Sequence, residues 1–403
     1  MPTISAIIAT YNRCAFLQET IASLEAQTRP VDQIVIWDDG STDGTESYGT
    51  CLAAHSQGRI IYRRSENGGK SRALNRALED ASGELIWVCD DDDIALPHAS
   101  ARLSSALERS NAGLSAGRHD RFRDNPMTGQ RELFGTGYWP DLRQGSILRH
   151  VLEDVFFFQN ATLVRRAALD RVGPFREDLA RSIDYEMFVR LVSRFPVEMV
   201  DDVLFHQRKH DGARGPAASR HEAGQSEAVW LANDRAIFTD FRSSLPLSLY
   251  EALFHTHSPS LKRRAALIQR ATVYARRNDW NAALEDWTAA ATAHPSPPLT
   301  ATERDIVIRA MAGKHGCGDA FVPPVANKIR ALHRLNTVGA DIVRGLGRGA
   351  IWRIRSAAQA RDPGSALRAA AFVLRAGLSA ARDNERSENI SEKRTLARHD
   401  YEW

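Results

Sequence analysis

Four consecutive carboxylates, Asp90-Asp91-Asp92-Asp93, follow directly on the apolar run Leu85-Ile86-Trp87-Val88-Cys89. An apolar run bounded by Gly83-Glu84 on one side and acids on the other reads as a buried parallel strand. Ligands of open α/β sheets collect beyond the carboxyl ends of such strands, so the acids stand where a site belongs. Alternate side chains of extended backbone share a face, and Asp90 and Asp92 are expected to point together while Asp91 and Asp93 point away. Carboxylates this close repel one another unless open water or a divalent cation reconciles them. Mg2+ is usually held by one or two carboxylates plus substrate phosphates, and a short acidic cluster meets that demand.

Other chemically able residues stand at turns. Thr10-Tyr11-Asn12-Arg13 follows the first strand pattern, where the Tyr11 ring can stack on a flat base or simply cap the sheet. Asp38-Asp39-Gly40-Ser41 ends the second strand and reads either as a turn with helix-capping acids or as a carboxylate facing a base N–H. Asn67-Gly68-Gly69-Lys70-Ser71 precedes a helix whose first amides can face phosphate. It is not a P-loop, because GxxxxGK[ST] requires glycine where Arg64 stands. Two EF-hand readings also fail: Thr50 stands at the twelfth position of a loop opening at Asp39, and Ala101 at that of a loop opening at Asp90. Asp184 opens a helix carrying Phe188, Leu191 and Val192, as an N-cap or as a base. His210 is a lone histidine in a polar loop, able to ligate metal or touch phosphate.

The elements that must position these residues alternate strand and helix over the first hundred residues, which favours a parallel sheet covered by helices. Ile4 to Ala9 is the first strand. Phe16, Leu17, Ile21 and Leu24 recur at helical spacing until Pro30. Gln33 to Trp37 and Arg59 to Arg63 read as further strands, and Leu74, Ala77, Leu78 and Ala81 mark a helix closed by Gly83. From about residue 110 to 150 the pattern weakens, as expected of an irregular, substrate-facing insertion. Thr272 to Pro295 resembles one unit of a tetratricopeptide repeat, and an ordinary helical hairpin is the expectation.

From Ala320 to Arg382 there are 11 Lys and Arg against 2 acids. Arg361, Arg368, Arg375 and Arg382 recur every seven residues, which lines them along one helix face, while Gly345, Gly347 and Gly349 weaken the helix before it. Such a stripe suits a solvated surface or a peripheral contact with anionic lipid. The domains expected are residues 1–230 as the α/β domain, 235–320 as a helical domain, 321–382 as a basic helical region and 383–403 as a disordered tail.

The 403 residues suffice for two cores, and 43% hydrophobic with 26% charged content is ordinary for a globular protein. A formal charge of +3 selects no anionic partner, and no nucleic acid is expected. Cys14, Cys51, Cys89 and Cys317 show no CxxC spacing, so neither zinc site nor disulfide framework is supported. No run approaches the roughly 18 apolar residues of a spanning helix, and the N-terminus lacks signal-peptide character. A cytoplasmic protein is expected, with the inner face of the membrane as its furthest reach.

Five segments together resemble the family 2 glycosyltransferases, inverting nucleotide-sugar enzymes of the GT-A fold, and they cover roughly residues 1 to 215. They are Ala9-Thr10-Tyr11-Asn12-Arg13, Asp38 to Asp43, Asn67-Gly68-Gly69 with Arg72 and Asn75, the Asp90 to Asp93 cluster, and Ile183-Asp184-Tyr185-Glu186. The resemblance implies an α/β GT-A nucleotide-diphospho-sugar transferase domain, a mostly parallel sheet flanked by helices, to which the sequence adds an α-helical C-terminal extension. It implies donor-binding roles for Thr10, Tyr11, Arg13, Asp39, Asn67, Gly69, Arg72, Asp90 and Asp91. The acid cluster becomes the DxD element, with Asp92 as metal ligand, Asp90 or Asp91 at the donor ribose, and His210 as a further metal candidate. Asp184 becomes the base that deprotonates the acceptor hydroxyl, with Ile183 replacing the usual acidic neighbour. Gln159 and Asn160, in Phe157-Phe158-Gln159-Asn160-Ala161, fall on the acceptor side.

The expected protein is therefore a metal-dependent inverting glycosyltransferase using Mg2+ or Mn2+. Its donor is a UDP, GDP or dTDP sugar, and its acceptor a glycan, a lipid-linked glycan or a protein, in cell-surface polysaccharide or glycan synthesis. A sugar-phosphate nucleotidyltransferase and a non-catalytic sugar-nucleotide-binding scaffold are the competing readings. The former would release pyrophosphate, and no Gly-rich basic loop follows the first strand to serve it.

Overall fold

A computed structural model describes residues 1–125, 127–209, 226–377 and 389–403. The chain divides into two units, residues 1–141 with 155–230, and residues 142–154 with 231–403. In the first, β1 (Ile4–Thr10), α1 (Cys14–Glu25), β2 (Gln33–Asp38), α2 (Thr45–His55), β3 (Ile60–Arg64), α3 (Lys70–Asp80) and β4 (Leu85–Asp90) alternate along the chain. There follow β5 (Ile94–Ala95), α4 (Ala99–Glu108), β6 (Leu114–Asp124), β7 (Arg131–Thr136), α5 (Ile147–Glu153, in the second unit), β8 (Thr162–Arg165), α6 (Arg166–Val172), α7 (Ile183–Val192) and β9 (Val197–Arg208).

Nine strands form one sheet in the order β3-β2-β1-β4-β8-β6-β9-β5, with β7 paired to β6. The strands β3, β2, β1 and β4 run parallel, whereas β8 is antiparallel to both β4 and β6. Every residue of β1 is buried, as expected of a parallel strand covered on both faces. Leu17, Ile21 and Leu24 of α1 pack with Ile4, Ile8, Ile34, Ile36 and Trp87 in the main core. The spacing of α1's apolar residues therefore did position the helix on the sheet.

The region expected to be irregular between residues 110 and 150 is instead ordered. It supplies the eleven-residue strand β6 and the hairpin strand β7. Gly117 hides the strand in the sequence, yet a Cβ there would lie 2.3 Å from a methyl carbon of Leu204. The glycine is a packing requirement rather than a loop signal.

The second unit contains α5, the part of α8 (Ser226–Ser244) from Leu231 onward, and the helices α9 (Leu247–Glu251), α10 (Pro259–Ala275), α11 (Trp280–Ala293), α12 (Ala301–Arg309), α13 (Val325–Ala331), α14 (Thr337–Gln359) and α15 (Pro363–Arg375). Two short strands, β10 (Phe254–His255) and β11 (Ser391–Glu392), pair antiparallel. The hairpin expected near residues 272 to 295 is α10 and α11, joined through Asn278 at φ +56°. Arg264 and Glu303 are both fully buried and joined by two 2.7 Å hydrogen bonds, and Glu303 also closes a capping box with Thr300.

Three expectations for the C-terminal region change. First, α14 runs through Gly345, Gly347 and Gly349 without a break. A Cβ at Gly345 would lie 2.7 Å from Val307, and one at Gly349 2.5 Å from the Ile308 carbonyl oxygen, so these glycines allow close packing on α12 that overrides their low propensity. Second, the seven-residue arginine stripe does not lie along one helix. Arg361 sits at φ +57° after α14, and Asp362 caps the new helix α15 with Pro363 at its start; Arg382 lies outside the described residues. Third, residues 389–403 of the tail expected to be disordered are placed on the second unit. Ile390 and Leu396 are buried, and Glu392 meets Arg149 at 3.1 Å and Arg309 at 2.8 Å.

Candidate functional site

The parallel register brings three strand ends level. Thr10 of β1 pairs with Asp38 of β2, and Ala9 of β1 with Asp90 of β4. The loops that leave these ends therefore share the carboxyl edge of the sheet, where open α/β sheets bind ligands.

The acidic cluster alternates in burial, although β4 ends at Asp90, and Asp91 and Asp92 lie in the turn beyond it rather than in extended backbone. Asp91 and Asp93 are buried, while the side chains of Asp90 and Asp92 keep 28% and 16% of their surface exposed. Asp91 accepts hydrogen bonds from Thr10 Oγ1 at 2.8 Å and Arg13 Nη1 at 2.9 Å, and the same Arg13 nitrogen reaches Asp92 Oδ2 at 2.8 Å. Burial raises the pKa of Asp91, and Arg13 offsets only part of that rise. Asp93 is held well above the usual carboxylate range by burial first and then by Asp92 and Asp90. Its oxygens accept from the Arg208 backbone N–H at 2.8 Å and from Asn160 Nδ2 at 3.2 Å.

Arg208 closes this cluster from beneath. Its side chain is 1% exposed, donates to the Asp92 carbonyl, Glu19 and Asp124, and lies over the rings of Phe16 and Phe122. The neighbouring His210 lies outside the described residues.

Asp90 Oδ1 accepts from Gln159 Nε2 at 2.7 Å and from Lys70 Nζ. Asn160 Oδ1 accepts the Asp90 backbone N–H at 2.8 Å, and its backbone oxygen accepts the Trp87 indole N–H. Gln159 and Asn160 are thus buried beside Asp90, and Asn160 holds the end of β4. The Gln159 side-chain Oε1 is buried with no hydrogen-bond partner among the described residues. Burial alone would lower the pKa of Lys70, but Asp90, Asp184 and Asp91 together raise it. The lysine is therefore a standing cation between the two sets of carboxylates.

Asp39 is buried, and its two oxygens accept the backbone N–H groups of Gly68 at 2.7 Å and Gly69 at 2.9 Å. Asn67 Nδ2 donates to the Asp39 carbonyl at 2.9 Å. Burial outweighs these bonds and raises the Asp39 pKa. The turn after β2 and the loop before α3 are therefore one bonded unit, with Gly69 at φ +93° admitting the sharp entry into the helix. Arg72 is exposed across Gly68, and among the described residues its guanidinium has no hydrogen-bonding partner. Tyr11 is half-buried on the adjoining loop. Asn75 turns away to bind the Phe175 carbonyl at 2.9 Å and Glu177 at 3.0 Å.

Asp184 stands in the first turn of α7, but the N-cap is Ser182 at φ +58°. Asp184 thus stands inside the helix, and the Ser182 side chain makes no capping hydrogen bond. Glu186 and Arg190 form two hydrogen bonds of 2.7 and 2.8 Å, and Arg190 also binds the carbonyls of Val172, Gly173 and Pro174. That clamp fixes the start of α7. Asp184 and Gln159 line the same small cavity, whose other walls are Val88, Phe175, Met187 and Phe188.

Among the described residues no group of three or more His, Cys, Asp or Glu side chains is arranged as a metal cage. The donor set is instead the partly exposed pair Asp90 and Asp92. It fits an ion that takes most of its ligands from a substrate diphosphate.

Residues 5–173 match the family described as Glycosyl transferase family 2. An uncharacterized glycosyltransferase, YwdF, of Bacillus subtilis is 26% identical over 65% of this chain and 92% of its own length. The GalNAc(5)-diNAcBac-PP-undecaprenol beta-1,3-glucosyltransferase of Campylobacter jejuni is 35% identical over 28% of this chain and 36% of its own length. An uncharacterized glycosyltransferase of Rickettsia felis is 25% identical over 57% of this chain, which spans only 38% of that relative. The crystal structure of S. aureus TarS 1-349 in complex with UDP-GlcNAc superposes with a TM-score of 0.50 at 17% identity, covering 97% of this chain and 99% of that one. The fold is shared with that structure.

Proposed function

We propose, from the premise that residues 5–173 carry a family 2 glycosyltransferase domain, that this chain moves a sugar from a nucleoside diphosphate to an acceptor hydroxyl with inversion. The observation that carries the reading is the convergence of Asp39 with its Asn67–Gly69 loop, the Asp90 and Asp92 pair, and Asp184 on one edge of the sheet, with Lys70 bonded to Asp90 and electrostatically coupled to Asp184.

In this reading Tyr11 and Asp39 face the base, and Thr10 and Arg13 hold the acidic turn in place. Each Asp39 oxygen carries one loop bond and retains a lone pair for a base N–H. Arg72 and the first amides of α3 meet the diphosphate, whose negative charge suits a helix N-terminus. Asp90 takes the ribose. Asp92, with Asp90 beside it and His210 as a further candidate, would hold Mg2+ or Mn2+, which would supply Lewis-acid stabilisation of the departing diphosphate worth several kcal/mol.

Transfer is a single displacement. The acceptor oxygen attacks the anomeric carbon, the bond from that carbon to the diphosphate oxygen breaks with its electron pair leaving on the nucleotide, and Asp184 takes the acceptor proton. Gln159, whose side-chain Oε1 has no partner among the described residues, receives a hydrogen bond from the acceptor. The likeness to an undecaprenol-linked glucosyltransferase supports a lipid-linked glycan as acceptor, and with it work at the cytoplasmic face of a membrane. No helix among the described residues is long and apolar enough to cross one.

A thermal-shift screen of UDP, GDP and dTDP sugars with and without Mn2+ tests the reading. One donor class should raise Tm in a metal-dependent way. Stabilisation by none of them would contradict it.

A further inference from the structure

The C-terminal helices leave two apolar and basic faces uncovered. On the last turns of α14, Arg348, Ile351, Trp352 and Arg355 follow one another at spacings of three, one and three, and so share one face. Ile351 and Trp352 are 39% and 42% exposed. Arg353 bonds the carbonyls of Met311 and Gly313 at 3.0 and 2.8 Å and lies 3.9 Å from the centre of the Trp352 ring. The indole is thus held in place at the surface rather than left loose.

On α15 the buried set is Ala369, Phe372 and Val373. The opposite face pairs Leu367 with Arg368 and, seven residues later, Leu374 with Arg375; the two leucines are 71% and 80% exposed. Among the described residues Arg355, Arg361 and Arg375 have no carboxylate partner, and the only acids from Thr337 to Arg375 are Asp341 and Asp362.

We propose that these faces of α14 and α15 dock on an anionic phospholipid surface. A bilayer interface offers what each face needs: acyl chains for leucine and isoleucine, phosphates for arginine, and an amphipathic boundary for the indole. A second copy of the chain would set arginines against arginines. The charge complementarity therefore selects lipid, and each basic residue near an anionic leaflet contributes appreciably. This inference stands on the surface alone and requires no catalytic turnover.

The test is co-sedimentation of the full chain with vesicles of phosphatidylcholine, alone or mixed with phosphatidylglycerol. The chain should bind the mixed vesicles, bind phosphatidylcholine at least about tenfold more weakly, and release with salt. Leu367→Glu with Leu374→Glu should lower partitioning about tenfold or more, with the Tm unchanged because both side chains are exposed. Arg355→Glu with Arg375→Glu should weaken binding and flatten its salt dependence. Failure to bind the mixed vesicles overturns the proposal, as does unchanged partitioning of the leucine variant. Concentration-dependent dimerisation that the leucine variant abolishes, without vesicle binding, would assign the surface to a second copy instead. Nucleotide binding by the same preparations distinguishes loss of this surface from failure of the transferase reading.

Discussion

His119 shows how single residues near the site answer to burial. It is 3% exposed between the rings of Phe158 and Phe205, and its pKa is pushed down to about 4 by burial first and then by Arg121 and Lys209. The unfolded chain therefore binds a proton that the folded chain refuses. The stability this group contributes is complete above the unfolded value near pH 6.5 and is lost as pH falls toward 4. His119→Met keeps the apolar packing and removes the titration. Its unfolding free energy should fall less steeply than the parent's between pH 6.5 and 4.5, by about 2–3 kcal/mol across the window, in denaturant titrations. Identical slopes would contradict the assignment. At this scale much was legible in the sequence: the alternation of Asp90 to Asp93, and the place of Asp39 and Asp184 at element ends. Lys70 was not, because in sequence it stands out only as part of a Gly-Lys-Ser run that does not make a P-loop. Its bond to Asp90 depends on a strand twenty residues away, and spacing alone does not report that. Asp39 was legible as a carboxylate in the turn after a strand, but its grip on the glycine amides needed the structure.

The loops that carry the site are set by the elements behind them. Gly40 stands at φ +84°, and a Cβ there would lie 2.9 Å from the Asn67 backbone nitrogen. The turn after β2 and the loop before α3 can approach only because that position is glycine. Gly40→Ala should cost about 1–3 kcal/mol of local stability and raise the Kd for the nucleoside diphosphate about tenfold or more, measured by calorimetry. Unchanged affinity would separate this loop pair from the donor site. The first four strands and α1 were read from apolar runs and helical spacing, because buried parallel strands write continuous hydrophobic runs. The strand β6 was not, since arginine, histidine and a packing glycine break its pattern. The long helix α14 was misread for the same reason: its glycines serve contacts with α12, and a propensity scale does not see the neighbour.

Across the whole chain, the boundary between the two units was the least legible feature. Residues 142–154 leave the first unit in sequence order and join the second, where buried Glu153 meets Arg309 at 2.9 Å and Gln269 at 3.0 Å. Burial would raise the Glu153 pKa, but Arg309, Arg149 and Arg276 hold it well below the usual range. Glu392, from a tail whose polar composition promised disorder, bonds two of the same arginines. Composition sees no such long-range pairing. Glu392→Gln should lower the stability of the second unit by about 1–3 kcal/mol in thermal unfolding, while nucleotide affinity stays within experimental error; an unchanged unfolding profile would deny the tail its anchoring role. Sugar transfer with Asp184 as base predicts distinct products for the full chain and for Asp184→Asn, each incubated with the stabilising nucleotide sugar, Mn2+ and a lipid-linked acceptor. The wild-type chain should release nucleoside diphosphate and form a glycoside of inverted anomeric configuration. Asp184→Asn should bind the donor normally and turn over about 10²- to 10⁴-fold more slowly. Release of pyrophosphate, or near-normal turnover by the folded variant, would contradict it.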